Sequence, residues 1–426
     1  MKIIKPRLRI EGGRQLDGEL RVSGAKNSAL VLMTASLLSS KTLSLDNVPE
    51  LTDIDGMVEI LSSLGVSVRR RRPGRLELNG EHVINAEPPY ELVNSLRASF
   101  FSIGPLLGRL GRGRMPLPGG CRIGARPVVE HIRGLKALGA LVSIEHGIVS
   151  AIVPGESGRL TGASIILDFP SVGATETILM AAVLANGTST IKNAAQEPEV
   201  QDLANLLNAM GGRISGAGGQ IITIEGVERL HGCEYMVIPD RIEAGTFLLA
   251  AAITRSSLRI SPVIPGHLRA VLQKLQDCGC YLGINADSVV IYPGDIRGVD
   301  ITTQPFPGFP TDLQAPFMAL LTTARGTSIV NERIYENRMQ HVAELQRMGA
   351  LIRVQGSTAV IEGVPQLSGT LVSGTDLRAA AAMVLAGLAA RGTTLIEGLH
   401  HLDRGYSGIE AKLRQAGAYL ERHQSE

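Results

Sequence analysis

One short pattern recurs six times along the 426 residues, and it constrains the fold more than any other feature of the chain. It is a Leu, three residues, a Gly and then a β-type run: LSSLGVSV, LKALGALV, LNAMGGRI, LQDCGCYL, LQRMGALI and LRQAGAYL. The glycines are Gly65, Gly139, Gly211, Gly279, Gly349 and Gly417, spaced 68 to 74 residues apart. Leu61, Leu135, Leu207, Leu275, Leu345 and Leu413 stand four positions before them. Glycine closes a helix in the left-handed conformation just past its cap, and a Leu one turn back packs inward. Six matches at near-constant spacing imply six similar structural units.

A second element precedes each motif by about half a repeat. Ser28–Ser39, Glu176–Ala185, Ala244–Ile253, Leu313–Thr323 and Ala379–Ala390 are apolar around most of a helical circumference, so they are expected to be buried on nearly every side. The helix that ends in each motif is amphipathic. Charges such as Glu344, Arg347, Lys412 and Arg414 place it against water. Ser189–Asn193, Ser328–Asn331 and Thr394–Glu397 read as strands. The expected fold class is therefore α/β, with helices inside and sheets around them. Three repeats in each of two pseudo-symmetric domains would leave a cleft between their facing surfaces. A purely structural solenoid that binds a protein partner is the competing reading.

Composition excludes several functions. The 42 basic and 40 acidic residues are interleaved, and without a basic stripe or any Trp the chain does not read as a nucleic-acid binder. Arg69–Arg72 ends at Pro73-Gly74 and reads as a solvated hairpin edge. Lys5, Arg7 and Arg9 interrupt any signal-like apolar start, and no run approaches the ~20 apolar residues of a membrane span. Cys121, Cys233, Cys278 and Cys280 show neither zinc spacing nor a disulfide framework. A cytoplasmic protein without membrane, nucleic acid, metal or cofactor is expected. Oligomeric state is not readable.

The stretch Leu117-Pro-Gly-Gly-Cys-Arg-Ile-Gly-Ala-Arg-Pro127 is a loop by its Pro and Gly content, with Cys121 at its tip between Gly120 and Arg122. Neighbouring cations lower a thiol pKa and make it reactive, although free cysteines are more often buried and inert. Lys26, Arg97, Arg338, Arg378 and Arg404 each stand where an apolar helix meets a loop. Together they suit a small, multiply charged anion; singly, each could be an ordinary ion pair, with Asp376 and Asp403 close enough to serve Arg378 and Arg404. Asp312, in Phe309-Pro-Thr-Asp-Leu-Gln314, is either a proton acceptor or a helix-start acid, and composition does not choose. No GxGxxG or GxxxxGK[ST] element occurs in the right context.

Ser23–Asn27, Pro118–Pro127, Ser171–Thr175, Pro239–Thr246, Phe309–Asp312, Glu336–Arg338, Asp376–Ala379 and Asp403–Tyr406 together resemble, in order, the UDP-N-acetylglucosamine 1-carboxyvinyltransferase family of enolpyruvyl transferases. The resemblance implies two inside-out α/β barrel-like domains of three repeats each, one over residues 22–238 and one over 1–21 plus 239–426. It implies transfer of the enolpyruvyl group of phosphoenolpyruvate to UDP-N-acetylglucosamine, the first committed step of peptidoglycan synthesis. Catalytic roles fall to Cys121, Asp312, Lys26 and Arg404. Cys121 is also the residue that forms covalent adducts and meets fosfomycin. Phosphoenolpyruvate would be held by Lys26, Asn27, Arg126, Arg338, Arg378 and Arg404. The nucleotide sugar would be lined by Asn27, Arg97, Arg126, Pro127, Val128, Val129, Glu130, Phe169, Pro170, Ser171, Val172, Gly173, Asp312 and Ile334. The chain departs from the family pattern at Val129, at Phe169-Pro170 and at Phe101. An enolpyruvyl transferase for another acceptor (shikimate 3-phosphate or a natural-product nucleotide) and a non-catalytic repeat scaffold are the alternatives. The Gly-Gly-Cys loop and the nucleotide-sugar stretches weigh against shikimate 3-phosphate, and the intact Lys26, Cys121, Asp312 and Arg404 against the scaffold.

Overall fold

The computed structural model describes residues 6–117, 123–124, 127–156 and 158–424, with Ser95 and Gln424 described by their backbone only. Within them the chain forms two compact units. One spans 24–238 except for Ile123 and Gly124; the other takes 6–23, those two residues and 239–424. The expectation had placed the whole of 22–238 in a single unit.

All six repeat glycines lie at φ between +93° and +103°, and each closes a helix in the same way. In the fifth, Gly349 N–H donates to Gln346 O at 2.9 Å and Ala350 N–H to Leu345 O at 3.1 Å. The other five repeat this pair of bonds, which satisfies two carbonyls that the helix end would otherwise orphan. The six Leu side chains four positions back are at most 1% exposed. A glycine is required because any Cβ at such a φ is strained.

Each unit packs buried helices inside three sheets. In the 24–238 unit the helices are Lys26–Thr34, Ile103–Leu110 and Val172–Ala182; in the other they are Arg241–Ile253, Gln314–Leu321 and Leu377–Ala389. The Ile103–Leu110 helix was not anticipated, because Gly104, Pro105 and Gly108 break up its apolar run. Those glycines belong to its packing: a Cβ on Gly104 would stand 2.4 Å from the Thr177 carbonyl, and one on Gly108 3.1 Å from that of Ala181. The solvent-side helices are Thr52–Ser63, Val129–Ala137, Pro198–Ala209, Arg269–Asp277, His341–Arg347 and Ile409–Gln415. Two of the charges expected to face water are largely covered. Glu344 keeps 15% side-chain exposure and accepts from Ser373 N at 2.9 Å. Lys412 turns inward to the buried Glu243 carboxylate at 2.7 Å.

Five of the six sheets pair a strand parallel on one side and antiparallel on the other; among the described residues, the sheet of Arg112–Pro116, Leu141–Glu145 and Ile148–Ile152 has antiparallel pairs only. In the fifth repeat Thr327–Asn331 pairs parallel with Ile301–Thr302 and antiparallel with Thr358–Glu362, which forms a hairpin with Leu351–Gln355. The strand Pro6–Glu11 completes the last sheet between Thr393–Glu397 and Tyr419–Gln424, with Leu8 and Ile10 fully buried, so the start of the chain joins its final repeats. The basic hairpin forms as expected from Ser67–Arg72 and Arg75–Asn79, and its guanidinium groups meet Asp46, Asp55 and Glu77. No helix among the described residues is long and apolar enough to cross a membrane.

Candidate active site

Asp312 sits in the short turn Thr311–Leu313 that leads into the buried helix Gln314–Leu321. Its carboxylate does not cap that helix. Oδ1 accepts from Arg338 Nη2 at 2.6 Å and Oδ2 from Arg378 Nη2 at 2.8 Å. Arg338 lies in the turn before the helix His341–Arg347, and Arg378 is the second residue of Leu377–Ala389. Both arginine side chains are only 6% exposed, while the Asp312 side chain keeps 26%. Burial alone would push the Asp312 carboxyl up, but Arg378 and Arg338 overcome it and hold the group well below the usual carboxylate range. Burial likewise opposes the charge on Arg378, and Asp312 more than offsets it. The Nε–H groups of both arginines are buried without a hydrogen-bond partner among the described residues.

The remaining arms of these arginines are also held. Arg378 Nη1 donates to Tyr406 Oη at 3.1 Å, which lies 3.0 Å from Thr246 Oγ1, and Arg338 Nη1 donates to Thr311 Oγ1 at 2.8 Å. Asp376 and Asp403, considered from the sequence as partners of Arg378 and Arg404, have other partners. Asp376 caps the helix Leu377–Ala389, accepting from Arg378 N at 2.8 Å and Ala379 N at 3.1 Å, and Asp403 binds Arg422 through both oxygens. Arg404 follows the turn of helix Leu399–Leu402, two residues before Tyr406, and is half-buried. His341 lies against the cluster, its ring 3.3 Å from Met318 Sδ, and burial pushes it down to about 4, so at neutral pH it is uncharged.

In the 24–238 unit, Lys26 opens the buried helix Lys26–Thr34, and its ammonium meets the Asp53 carboxylate at 3.1 Å. Both are largely buried, with side-chain exposures of 12% and 7%. Two residues on, Ser28 donates to the buried Asp202, which also accepts from Tyr235 Oη at 2.7 Å. Ala25 N–H donates to Ile238 O at 2.7 Å. The helix start that carries Lys26 and the exposed Asn27 is thus tied on both sides. Arg97 begins the turn Arg97–Ser102 and is half-buried.

The two stretches assigned to the nucleotide sugar come together within this unit. Glu130 Oε2 accepts from Asp168 N at 3.1 Å, and Ser171 caps the helix Val172–Ala182 by accepting from Ala174 N at 3.3 Å. Gly173 has no room for a side chain, since its Cβ would stand 2.9 Å from His131 Nε2. Val128 is buried, whereas Val129 is 57% and Phe169 48% exposed, so two departures from the family pattern stand on the surface. Pro127 is exposed, and Pro170, Ser171 and Val172 are partly covered. Ile334 belongs to the other unit, where its N–H donates to Glu332 at 2.8 Å.

Cys121, Arg122 and Arg126 lie outside the described residues. Of that loop, Ile123 O accepts from Asn337 N at 3.0 Å, beside Arg338, and Gly124 meets the Glu336 carboxylate so closely that a Cβ would stand 2.5 Å from it. Sequence reasoning gave no role to Asp53, Thr246, Thr311, Glu332 or Tyr406. Thr246, Thr311 and Tyr406 fall inside the quoted motifs. Asp53 and Glu332 carry no local signal, because their side-chain partners Lys26, Thr303 and Thr311 are remote in the chain.

Comparison with known proteins is consistent along the whole length. The family model EPSP synthase (3-phosphoshikimate 1-carboxyvinyltransferase) matches residues 10–413. The chain is 73% identical to the UDP-N-acetylglucosamine 1-carboxyvinyltransferase of Prochlorococcus marinus strain MIT 9313, over 99% of this chain and 97% of that one. It is 71% identical to the enzyme of that name from Synechococcus sp. strain CC9605, with the same coverage. Among solved structures, the enolpyruvyl transferase NikO from Streptomyces tendae superposes with a TM-score of 0.88 at 27% identity, covering 99% of this chain and 100% of that one. EPSP synthase from Acinetobacter baumannii shares the fold, with a TM-score of 0.76 at 19% identity over 98% of this chain and 100% of that one. With the six-repeat fold and motifs matched along its length, the chain belongs to the enolpyruvyl transferase family, among the UDP-N-acetylglucosamine 1-carboxyvinyltransferases.

Proposed function

We propose that this chain transfers the enolpyruvyl group of phosphoenolpyruvate to the 3′-hydroxyl of UDP-N-acetylglucosamine and releases phosphate. The observation that carries the chemistry is the Asp312 carboxylate between two buried guanidinium groups whose Nε–H donors lack partners among the described residues. Such a cluster suits an acid–base step beside a polyanion. Lys26, Asn27, Arg126, Arg338, Arg378 and Arg404 bind phosphoenolpyruvate. Arg97, the stretches 127–130 and 169–173, Ile334 and Asp312 receive the nucleotide sugar together with Asn27 and Arg126.

The 3′-oxygen bonds to the enol carbon as its proton passes to Asp312, and Cys121 delivers a proton to the methylene carbon. The resulting tetrahedral adduct still carries its phosphate. Cleavage of the carbon–oxygen bond to phosphate, with loss of a proton from the new methyl group, yields the enolpyruvyl ether. Asp312 is ionised at neutral pH, as a base must be, but its two cations make it a weak one. An arriving polyanion draws on the same guanidinium groups, and its charge raises the proton affinity of Asp312 when the hydroxyl must be deprotonated.

Phosphate release from phosphoenolpyruvate, followed with UDP-N-acetylglucosamine, with shikimate 3-phosphate and with neither, tests the reading. Release only with the nucleotide sugar is expected. Release only with shikimate 3-phosphate would move the chain to another acceptor, and release with neither would leave a scaffold.

A further inference from the structure

Glu332 directly follows the strand Thr327–Asn331 and is 2% exposed, and among the described residues no hydrogen bond joins it to Asp312 or Arg338. Its Oε1 accepts from Thr303 Oγ1 at 2.8 Å, Ile334 N at 2.8 Å and Tyr335 N at 3.1 Å. Its Oε2 accepts from Thr311 Oγ1 at 2.9 Å. A guanidinium only donates, so the Thr311 oxygen accepts from Arg338 and its single hydroxyl proton is directed to Glu332. That oxygen receives Arg338 Nη1 at 2.8 Å, and the other arm of the same planar guanidinium reaches Asp312 at 2.6 Å. Tyr335, whose backbone Glu332 holds, places its ring 5.2 Å from the Arg338 guanidinium carbon.

Resting on the function proposed above, we propose that Glu332 is a positioning residue for catalysis. It fixes the direction of the Thr311 hydroxyl, and through it the angle at which Arg338 presents Asp312 to the acceptor hydroxyl. The same carboxylate sets the backbone at Ile334, so it couples the proton acceptor to the nucleotide-sugar lining.

The hydroxyl is the link to break. Thr311→Val removes it at nearly constant volume, Thr311→Ser keeps it, and Thr303→Val cuts a different bond to Glu332. Thr311→Val is expected to lower kcat about 10- to 100-fold, the scale of a small misplacement of a reacting group, with little change in KM for the nucleotide sugar. Thr311→Ser is expected to stay within about threefold of wild type, and Thr303→Val to lower Tm while keeping kcat within the same range. Glu332→Gln is expected to lower kcat and also raise that KM, and combining it with Thr311→Val should cost no more than the worse single change. Crystal structures of the two Thr311 variants give a readout independent of turnover. The Arg338–Asp312 bond should be lost or re-angled with Val and kept with Ser. Wild-type turnover from Thr311→Val, equal losses from Thr311→Ser and Thr311→Val, or an unmoved Arg338 in the Val structure would overturn the proposal. A wild-type protein that turns over nothing would instead reject the reaction and leave the crystallographic comparison to judge the relay.

Discussion

A carboxylate gripped by two guanidinium groups is a poor proton acceptor until one of them finds other work, and Asp312 stands in that position. Its folded pKa lies below the ordinary carboxylate value of about 3.9. The stability it contributes is therefore fully present above that value and is lost only as pH falls through the folded pKa. Asp312→Asn leaves Arg338 and Arg378 buried without their counter-charge. Urea denaturation at neutral pH should show a loss of about 2–4 kcal/mol, somewhat under the range for a fully buried pair because Asp312 keeps some exposure. The kcat of that variant should fall at least about 100-fold. The opposite sign applies to Glu176. Burial first, and then Glu199 and Glu197, push its carboxyl well above the usual range, so its contribution is full below about pH 4.3 and is lost as pH rises through the folded pKa. Glu176→Gln should therefore raise Tm at about pH 8 and lose that advantage near pH 4, measured by thermal scans at both.

At the scale of elements, the helix ends set the repeat. Gly349 has φ +95° and nothing near the position of a Cβ, so Gly349→Ala should cost about 1 kcal/mol of backbone strain. Gly65 has φ +103° and a carbonyl, that of His82, 2.3 Å from the same position. Gly65→Ala should therefore cost more than about 2 kcal/mol, and paired denaturation curves compare the two. The repeat was legible because each glycine and its Leu lie within one turn, where the physical demand is local. The buried helices were legible where Ala and Leu fill them, as in Leu377–Ala389, and not where helix–helix contact demands Gly104 and Gly108. The arginines were legible as candidates at helix starts. Their partners were not: Asp312 reaches Arg378 across 66 residues, whereas the nearer Asp376 is taken up by a backbone cap. Lys412 misled for the same reason, since the Glu243 that draws it inward is 169 residues away.

At the scale of the whole molecule, one unit holds Lys26, Arg97 and the two joined stretches 127–130 and 169–173, and the other holds Asp312, Ile334, Arg338, Arg378 and Arg404. Each unit is built from the same repeat and places polar residues at the starts of buried helices, as at Lys26 in one and at Asp312 and Arg378 in the other. The proposed reaction also draws on the thiol of Cys121. Cys121→Ser should lose most turnover and should show no mass increase after fosfomycin treatment. Full activity in that variant would remove Cys121 as the acid. The most direct measurement is the mass of the product formed from phosphoenolpyruvate and UDP-N-acetylglucosamine in heavy water. Protonation at the methylene carbon followed by elimination predicts an enolpyruvyl ether carrying deuterium in its vinyl group. An ether without deuterium, or phosphate released with no ether formed, would contradict the account.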